Sequence, residues 1–485
     1  MKKGVLLLSV FLCGACVMTM ELVGARVLAP FVGTTITVWT SLIGVILGAM
    51  SLGYVVGGKL ADKNPKFKVL SLIIGFSGMT MALLAVSKNI ALAAIVSLHF
   101  SNEVSALIST IILFVVPSFF LAMVSPYAIK LSLTSIESSG QTAGYIYAVS
   151  TVGSIAGTFF SGFFLIPMLG STTILYSVSA VLILLSFAVY IPNKLEKSVA
   201  ARVLVVILAI YAAFFNNGVS TVFKGAIAES DTQYGTILVI DRDNVRNMYI
   251  DIARSSGRYL DSDELVFEYT KYYDLALFFN PVAKKVLAFG GAGYSYPQYF
   301  VNKYADKEID VVELDPKTTE LAREYFGLTD NPRLRIFHND ARIFLSNNET
   351  KYDAILGDAF SSSTPPFQLV TKEANERIYD SLNSNGVYIV NIIDALEGEN
   401  SKLFSAYYHT LLQTFSQVLV FVPRQGGAKT DVRNITFVAL KNQASDINSD
   451  DDYMSLMLDR IYDSVPDKSI ILTDEYAPVE YLARW

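Results

Sequence analysis

The sequence has little charge and almost no cysteine, histidine or tryptophan. Of 485 residues only 17% are Asp, Glu, Lys or Arg, against about 25% in an ordinary water-soluble chain. A protein that is soluble throughout is thereby excluded. Two cysteines cannot build a disulfide framework, and with three scattered histidines they offer no Cys/His zinc spacing. Cys13 and Cys16 fall in the first apolar stretch, where a thiol acts as a small packing residue. His99, His338 and His409 share no ligand motif, so no metal is expected.

The scarcity of charge is uneven. Residues 1–218 hold 12 Lys/Arg and 5 Asp/Glu, a balance of +7, whereas residues 219–485 carry −13. The net charge of −6 therefore averages over two solvents. The first segment reads as lipid-embedded, the second as an acidic, water-soluble unit. Nucleic acid, which calls for a basic face, is excluded as a partner of that unit.

A membrane-spanning helix needs about 20 mostly apolar residues. Seven stretches qualify, at 4–25, 38–56, 69–86, 107–124, 145–169, 173–191 and 199–215. A short run at 89–99 is an eighth candidate or a re-entrant piece, so seven to eight spans are expected. Lys2 and Lys3 before the first stretch resemble a signal peptide, but its length and the spans after it mark a retained helix. Glycines recur as Gly48, Gly53, Gly57 and Gly58 and as Gly153, Gly157 and Gly162. Small residues let helices approach where the hydrophobic effect no longer drives them together. Glu21 and Arg26, at the end of the first helix, are candidates for a polar site, or Arg26 snorkels to the interface. Positive charge favours the cytoplasm. With seven spans starting inside, Lys59, Lys63, Lys66, Lys68, Lys130, Lys194, Lys197 and Arg202 are inside and the acidic unit is outside. An eighth span returns the acidic unit to the cytoplasm but moves Lys130 and the 194–202 cluster out. The chain is expected in the cell membrane, multi-pass, with its acidic unit cytoplasmic, although the seven-span charge bias conflicts with that side.

From about residue 229 the periodicity changes. Runs 236–241 and 246–252 read as hairpin strands, and 263–279 as an amphipathic helix. Strands at 285–289, 309–313, 334–338, 352–356 and 386–392 then alternate with helices at 296–304, 318–326, 341–346, 371–382 and 405–415. Runs 418–422 and 435–440 close the sheet. Such alternation implies a mostly parallel, doubly wound sheet, with ligands outside the carboxyl ends of its strands.

Four groups fall at those ends. Gly290-Gly291-Ala292-Gly293 follows the first strand, where glycine lets the backbone approach a ligand. Glu313 ends the second, placed to accept both ribose hydroxyls. Asp340 follows the third strand, suited to an adenine amino group, and Asp358 follows the fourth. Each acid alone could be a helix cap; all in order along one sheet point to a site. Acidic lining without a second phosphate-loop signature favours a cationic nucleoside lacking phosphates, such as a sulfonium.

These residues carry a resemblance. The soluble half is similar to spermidine synthase, the polyamine aminopropyltransferase family, and the whole chain resembles its membrane-fused members. Val-Val-Glu-Leu-Asp-Pro (311–316), Asn-Asp-Ala-Arg (339–342) and Thr-Asp-Glu-Tyr-Ala-Pro-Val-Glu (473–480) match family motifs. So do Ser125-Pro126-Tyr127 at a helix end and Asp263-Glu264-Leu265 before Phe267-Glu268-Tyr269. The resemblance implies a helical multi-pass membrane domain (1–218), a β-hairpin and helix lead-in (219–280) and a Rossmann-like, class I methyltransferase-type domain (281–485). It gives Asp358 the role of proton acceptor, and assigns Gln233, Gly290, Gly291, Glu313, Asp340, Ala341 and Pro365, or its neighbour Pro366, to the nucleoside. The departures lie on the amine side. Gly293 stands where the family has an amine-gripping Asp, Glu268 replaces a histidine, and Ser361 replaces an acid. Glu268, Asp263 and Glu264 could restore charge for a different amine.

The implied activity is transfer of an aminopropyl group from decarboxylated S-adenosylmethionine to an amine, putrescine giving spermidine in the family. The co-substrate is that nucleoside or S-adenosylmethionine itself, with no permanently bound cofactor. The partners expected are the lipid bilayer and a small-molecule amine, with a homodimer or tetramer left open. Two alternatives are a membrane-bound S-adenosylmethionine-dependent methyltransferase and a non-catalytic, nucleoside-sensing transporter or channel.

Overall fold

The computed structural model describes residues 2–33, 35–98, 100–133, 135–190, 225–359, 364–424, 426–444, 447–465 and 469–483. The expected span at 199–215, the basic cluster at 194–202, His99 and Ser361 lie outside the described residues. The chain divides into two compact units, Met1–Ile237 and Leu238–Trp485.

The first unit contains, among the described residues, six helices long and apolar enough to cross a membrane. They are built from α1 (Lys2–Val32), α2 (Ile36–Lys63), α3 (Phe67–Val96), α4 (Asn102–Ala122) with α5 (Val124–Ser132), α6 (Ser139–Phe160) with α7 (Ile166–Met168), and α8 (Ser171–Val189). The run at 89–99 is not a separate span, because α3 continues unbroken through Lys88 and Asn89 to Val96. A π-helical turn, Ser161–Leu165, joins α6 to α7. There the buried Ser161 hydroxyl bonds the Thr19 hydroxyl of α1 at 2.8 Å.

Glycines set how closely these helices pack. A Cβ on Gly153 would lie 2.1 Å from the Phe11 carbonyl oxygen, and one on Gly157 2.5 Å from that of Ala15. In the α2–α4 pair, a Cβ on Gly53 would lie 2.4 Å from the Phe119 oxygen. Gly48 and Gly162 meet nothing within 4 Å, so only part of the glycine pattern is packing. Serines add bonds between helices: Ser71 donates to the Ser186 carbonyl at 2.7 Å and Ser179 to that of Gly78 at 2.8 Å. The buried Tyr127 of α5 donates to the Asn64 carbonyl, pinning the α2–α3 turn. Arg26 donates to the carbonyl of Thr232. Strand β1 (Ala226–Asp231) also belongs to this unit.

The division between units falls in strand β2 (Thr236–Arg242). In the second unit, β3 (Val245–Ile250) and β4 (Ala253–Tyr259) form an antiparallel hairpin. Next comes a seven-stranded sheet of β5 (Lys285–Phe289), β6 (Glu308–Glu313), β7 (Leu334–His338), β8 (Tyr352–Gly357), β9 (Leu382–Asp394), β10 (Gln417–Phe421) and β11 (Arg433–Leu440). Its order is β10-β11-β9-β8-β5-β6-β7. The five strands from β9 to β7 are parallel, and β10 and β11 complete the edge antiparallel. Strands buried on both faces by helices read as continuous apolar runs, and Val286, Leu287 and Phe289 are each at most 2% exposed.

The region 263–279 differs from the single helix its periodicity suggests. Leu265 makes a β-bridge to Arg258 of the hairpin, and 263–267 is non-helical. The helix starts only at Glu268, runs to Lys271, tightens through a 3₁₀ turn at Tyr272–Asp274 and resumes at Leu275–Phe279.

Gly153→Ala should destabilise the first unit by about 1–3 kcal/mol through overpacking. Gly48→Ala, facing open space, should be neutral or slightly stabilising, because Ala is the better helix former. Thermal unfolding of the two variants side by side in one detergent checks this; equal behaviour would refute the close helix contact.

Candidate active site

The order of strands turns at β5, between β8 on one side and β6 on the other, which is where a crevice opens in a doubly wound sheet. A cavity of about 300 Å³ lies there. Gly290, Gly291, Glu313, Asp340, Ala341, Asp358 and Pro366 all line it. The backbone extends the sheet into the site. Gly290 donates to the Val312 carbonyl at 2.9 Å, Asn339 to that of Glu313 at 3.2 Å, and Asp358 to that of Phe289 at 3.1 Å.

The Gly290–Gly293 turn is shaped by contact on every side. Gly290 has φ +87°, and a Cβ there would lie 2.5 Å from the Asp358 carbonyl oxygen. At Gly293 a Cβ would meet the Ser256 hydroxyl at 2.6 Å and the Phe326 ring at 2.8 Å. The space that an acid would need at 293 is occupied. Ala292 and Tyr294 take left-handed backbone, φ 43° and 54°, a strain that persists only where surroundings enforce it.

Glu313 supplies that enforcement. Its Oε2 accepts from the backbone N–H of Gly291 at 2.8 Å and Ala292 at 3.1 Å, and its Oε1 from Asp315 at 2.9 Å. Burial raises its carboxyl above the usual range, and the three N–H donors work against that rise. A carboxylate has about four acceptor positions, so capacity remains for ligand hydroxyls. Asp340 caps the helix Ala341–Asn347, its Oδ1 accepting from Arg342 at 2.8 Å and Ile343 at 3.1 Å. Arg342 in turn pairs with Asp474 at 2.6 Å, and Thr371 donates to the same carboxylate at 2.6 Å. The motif at 473–480 is thereby tied to the helix that carries the Asp340 cap.

Asp358 is held differently. Its Oδ2 accepts from the Tyr269 hydroxyl at 3.1 Å, while the buried Oδ1 has no hydrogen-bond partner among the described residues. Burial pushes its carboxyl from 3.8 up to about 7, partly offset by Tyr269, Tyr273 and Asn391 around it. The aromatic wall continues from Phe267, stacked on Tyr269 at 5.7 Å, to Tyr273 edge-on to Tyr269 at 6.1 Å and to Tyr296 at 5.1 Å. Tyr296 is anchored outside the cavity by donating to the fully buried Asp274 at 3.1 Å, which Lys303 neutralises at 2.8 Å. Tyr294 and Tyr352 are buried and bond to Thr319 and Asp310.

Other expected groups stand elsewhere. Gln233 is an exposed turn residue between β1 and β2, in the first unit. Pro365 is buried, and its neighbour Pro366 faces the cavity. Asp263, Glu264 and Glu268 are exposed and none lines the cavity. Asp263 pairs with Arg258 at 3.2 Å and Glu268 with Lys271 at 3.0 Å. Sequence reasoning missed Tyr269, Tyr273, Asn391 and Arg254, all of which line the cavity. The spacing of Tyr269 and Tyr273, four apart on one helical face, was the available signal.

Residues 268–424 match the spermine/spermidine synthase domain. The chain is 27% identical over 291 residues to the polyamine aminopropyltransferase of Vibrio vulnificus, covering 55% of this chain and 93% of that protein. It is 37% identical over 139 residues to the polyamine aminopropyltransferase of Streptococcus pneumoniae, covering 27% and 46%. It spans about half the length of several other such relatives. The structure of a probable spermidine synthase from Corynebacterium glutamicum aligns over 47% of this chain and 84% of its own, at 22% identity and a TM-score of 0.41.

The raised Asp358 carboxyl makes a stability prediction. Between the ordinary value near 3.8 and the folded value near 7, the unfolded chain has lost this proton and the folded one keeps it. Stability of the second unit therefore falls as pH rises through that window, and levels off above it. Asp358→Asn, which cannot ionise, should gain on the wild type by a few kcal/mol between pH 4 and pH 8. Denaturant unfolding of both at the two pH values measures this; a pH-independent difference would refute the buried, protonated carboxyl.

Proposed function

Because residues 268–424 of this chain carry a spermine/spermidine synthase domain, we propose that it is a transferase moving an aminopropyl group from decarboxylated S-adenosylmethionine to an amine. The observation that carries this reading is the set of three acids at successive strand ends, Glu313, Asp340 and Asp358, on one cavity. Glu313 takes the ribose hydroxyls on its remaining lone pairs. Asp340 and Ala341 face the adenine, while Gly290 and Gly291 let the backbone lie against the nucleoside. The cationic sulfonium then sits among carboxylates, as charge complementarity requires.

The chemistry is a single displacement. The amine nitrogen attacks the aminopropyl carbon bonded to sulfur, the C–N bond forms, and the C–S bond breaks. The electron pair leaves on sulfur as a neutral thioether, so no acid is needed at the leaving group. The proton lost by the nitrogen goes to an Asp358 oxygen. A base near 7 is well matched to neutral pH, and the Tyr269 bond fixes the direction of the carboxylate. Alignment of the partners supplies most of the acceleration. The rigid wall of Phe267, Tyr269, Tyr273 and Tyr296 serves it.

The six apolar helices support a multi-pass anchor in the cell membrane, with the transferase unit on the cytoplasmic side where S-adenosylmethionine derivatives are made. The native cysteines are buried, so a cysteine introduced at the exposed Glu268 should react with a membrane-impermeant maleimide in inverted vesicles and not in intact cells. The reverse pattern would place the unit outside.

Mass spectrometry of products from the purified full chain with decarboxylated S-adenosylmethionine and a panel of amines tests the activity. Formation of an aminopropylated amine with release of methylthioadenosine is expected. Asp358→Asn should lower kcat by at least about 100-fold, and the wild-type kcat/KM should rise with pH through about 7. In Tyr269→Phe, loss of a donor to the carboxylate should move that limb alkaline by about one unit. Methylation of the amine from S-adenosylmethionine, with no aminopropyl product, would replace the proposal by methyl transfer.

A further inference from the structure

The two sides of the cavity carry opposite charge. Its strand-end side has Glu313, Asp340 and Asp358, whereas the wall from Ile250 to Tyr273 has one charged lining residue among the described ones, Arg254. We propose that the Arg254 guanidinium binds a carboxylate of the reacting ligand. The acceptor, or the tail of the donor, is then an amino acid rather than a simple amine. This rests on the nucleoside-and-amine reading of the same cavity.

Arg254 is pre-positioned for such a partner. Its Nε donates to the Asn247 side-chain oxygen at 2.5 Å, and its Cζ sits 4.7 Å from the Phe267 ring centroid. Its Nη2 lies 3.2 Å from the position a Cβ would take on Gly257, another cavity residue. Stacking and the Nε bond hold the plane of the fork, and the terminal nitrogens are the groups that bind carboxylates bidentately. Among the described residues no carboxylate pairs with Arg254. Asp251, three residues before Arg254, is buried and does not line the cavity, while Asp263 and Glu268 are engaged by Arg258 and Lys271.

Charge balance on this wall excludes the alternative occupant. A diamine would bring a second ammonium towards a guanidinium on a wall whose described lining residues include no acid. The acid that could have stood at 293 is barred by Ser256 and Phe326. A ligand bearing both an ammonium and a carboxylate satisfies both sides at once. Its nitrogen faces Asp358 and its carboxylate the Arg254 fork, with the Ser256 and Ser295 hydroxyls, 3.0 Å apart, beside it.

The test uses the full chain in detergent or nanodiscs and ligands that differ only by a carboxylate. Titration calorimetry compares S-adenosylhomocysteine with its decarboxylated analogue. Product mass spectrometry compares ornithine with putrescine and 2,4-diaminobutyrate with 1,3-diaminopropane as acceptors. The wild type should favour the carboxylated member of one series by about 10- to 100-fold, the range of a charge-assisted bond pair. Arg254→Ala should abolish that preference and Arg254→Lys retain part of it. Both should bind methylthioadenosine, which has neither amine nor carboxylate, as the wild type does. Preference in the acceptor series keeps aminopropyl transfer, and preference in the donor series changes the group transferred to its carboxylated form. The proposal is overturned if the wild type favours the decarboxylated member in both series, or if Arg254→Ala weakens both members of each pair equally. If methylthioadenosine fails to bind the wild type, the nucleoside reading falls and this proposal with it. Binding without carboxylate discrimination overturns this proposal alone.

Discussion

A carboxylate taken out of water must find donors, find a cation or take up a proton, and the second unit is organised around three answers to that constraint. Glu313 finds donors: three backbone N–H groups converge on it, and in accepting them it locks the Gly290–Gly293 turn against the end of β6. Asp274 finds a cation in Lys303 and, through it, fixes Tyr296. Asp358 has one phenol and little else, so its proton is held to near neutrality. Only the last arrangement leaves a group able to exchange a proton under ordinary conditions. The other two build the frame in which that exchange becomes useful.

In the first unit the constraint is different, because its long helices are apolar and carry few charges to pair. Closeness there comes from atoms that are missing. Carbonyl oxygens of Phe11, Ala15 and Phe119 occupy the space that Cβ atoms would take on Gly153, Gly157 and Gly53. Serine hydroxyls, buried among apolar side chains, add the Ser71–Ser186 and Ser179–Gly78 links.

The parallel sheet was legible in the sequence because each central strand is sheathed on both faces and so reads as an unbroken apolar run. The acids at its strand ends were legible for the same reason, since their positions follow from where the runs stop. What escaped depends on contacts between distant segments. The non-helical course of 263–267 includes the Arg258–Leu265 bridge, which overrides a helical pattern. Pairing of Asp263 and Glu268 with nearby basic residues follows from that change. Tyr269 and Arg254 escaped because neither a phenol nor a cation stands out in sequence where acids are the expected lining. The helix α3 exceeds the length a bilayer demands, so the polar pair Lys88 and Asn89 looked like an end when it is an interior position.

Glu313 has a consequence for how such a molecule can change over generations. One side chain both shapes the glycine turn and lines the cavity, so a substitution that alters the cavity also releases strained backbone at Ala292 and Tyr294. Asp340 is bound in the same way to a helix start. The opposite wall carries no comparable duty: Arg254 and Phe267 touch each other and the ligand space, and no backbone turn hangs on their identity. Selection therefore acts on a cavity with one constrained side and one adaptable side.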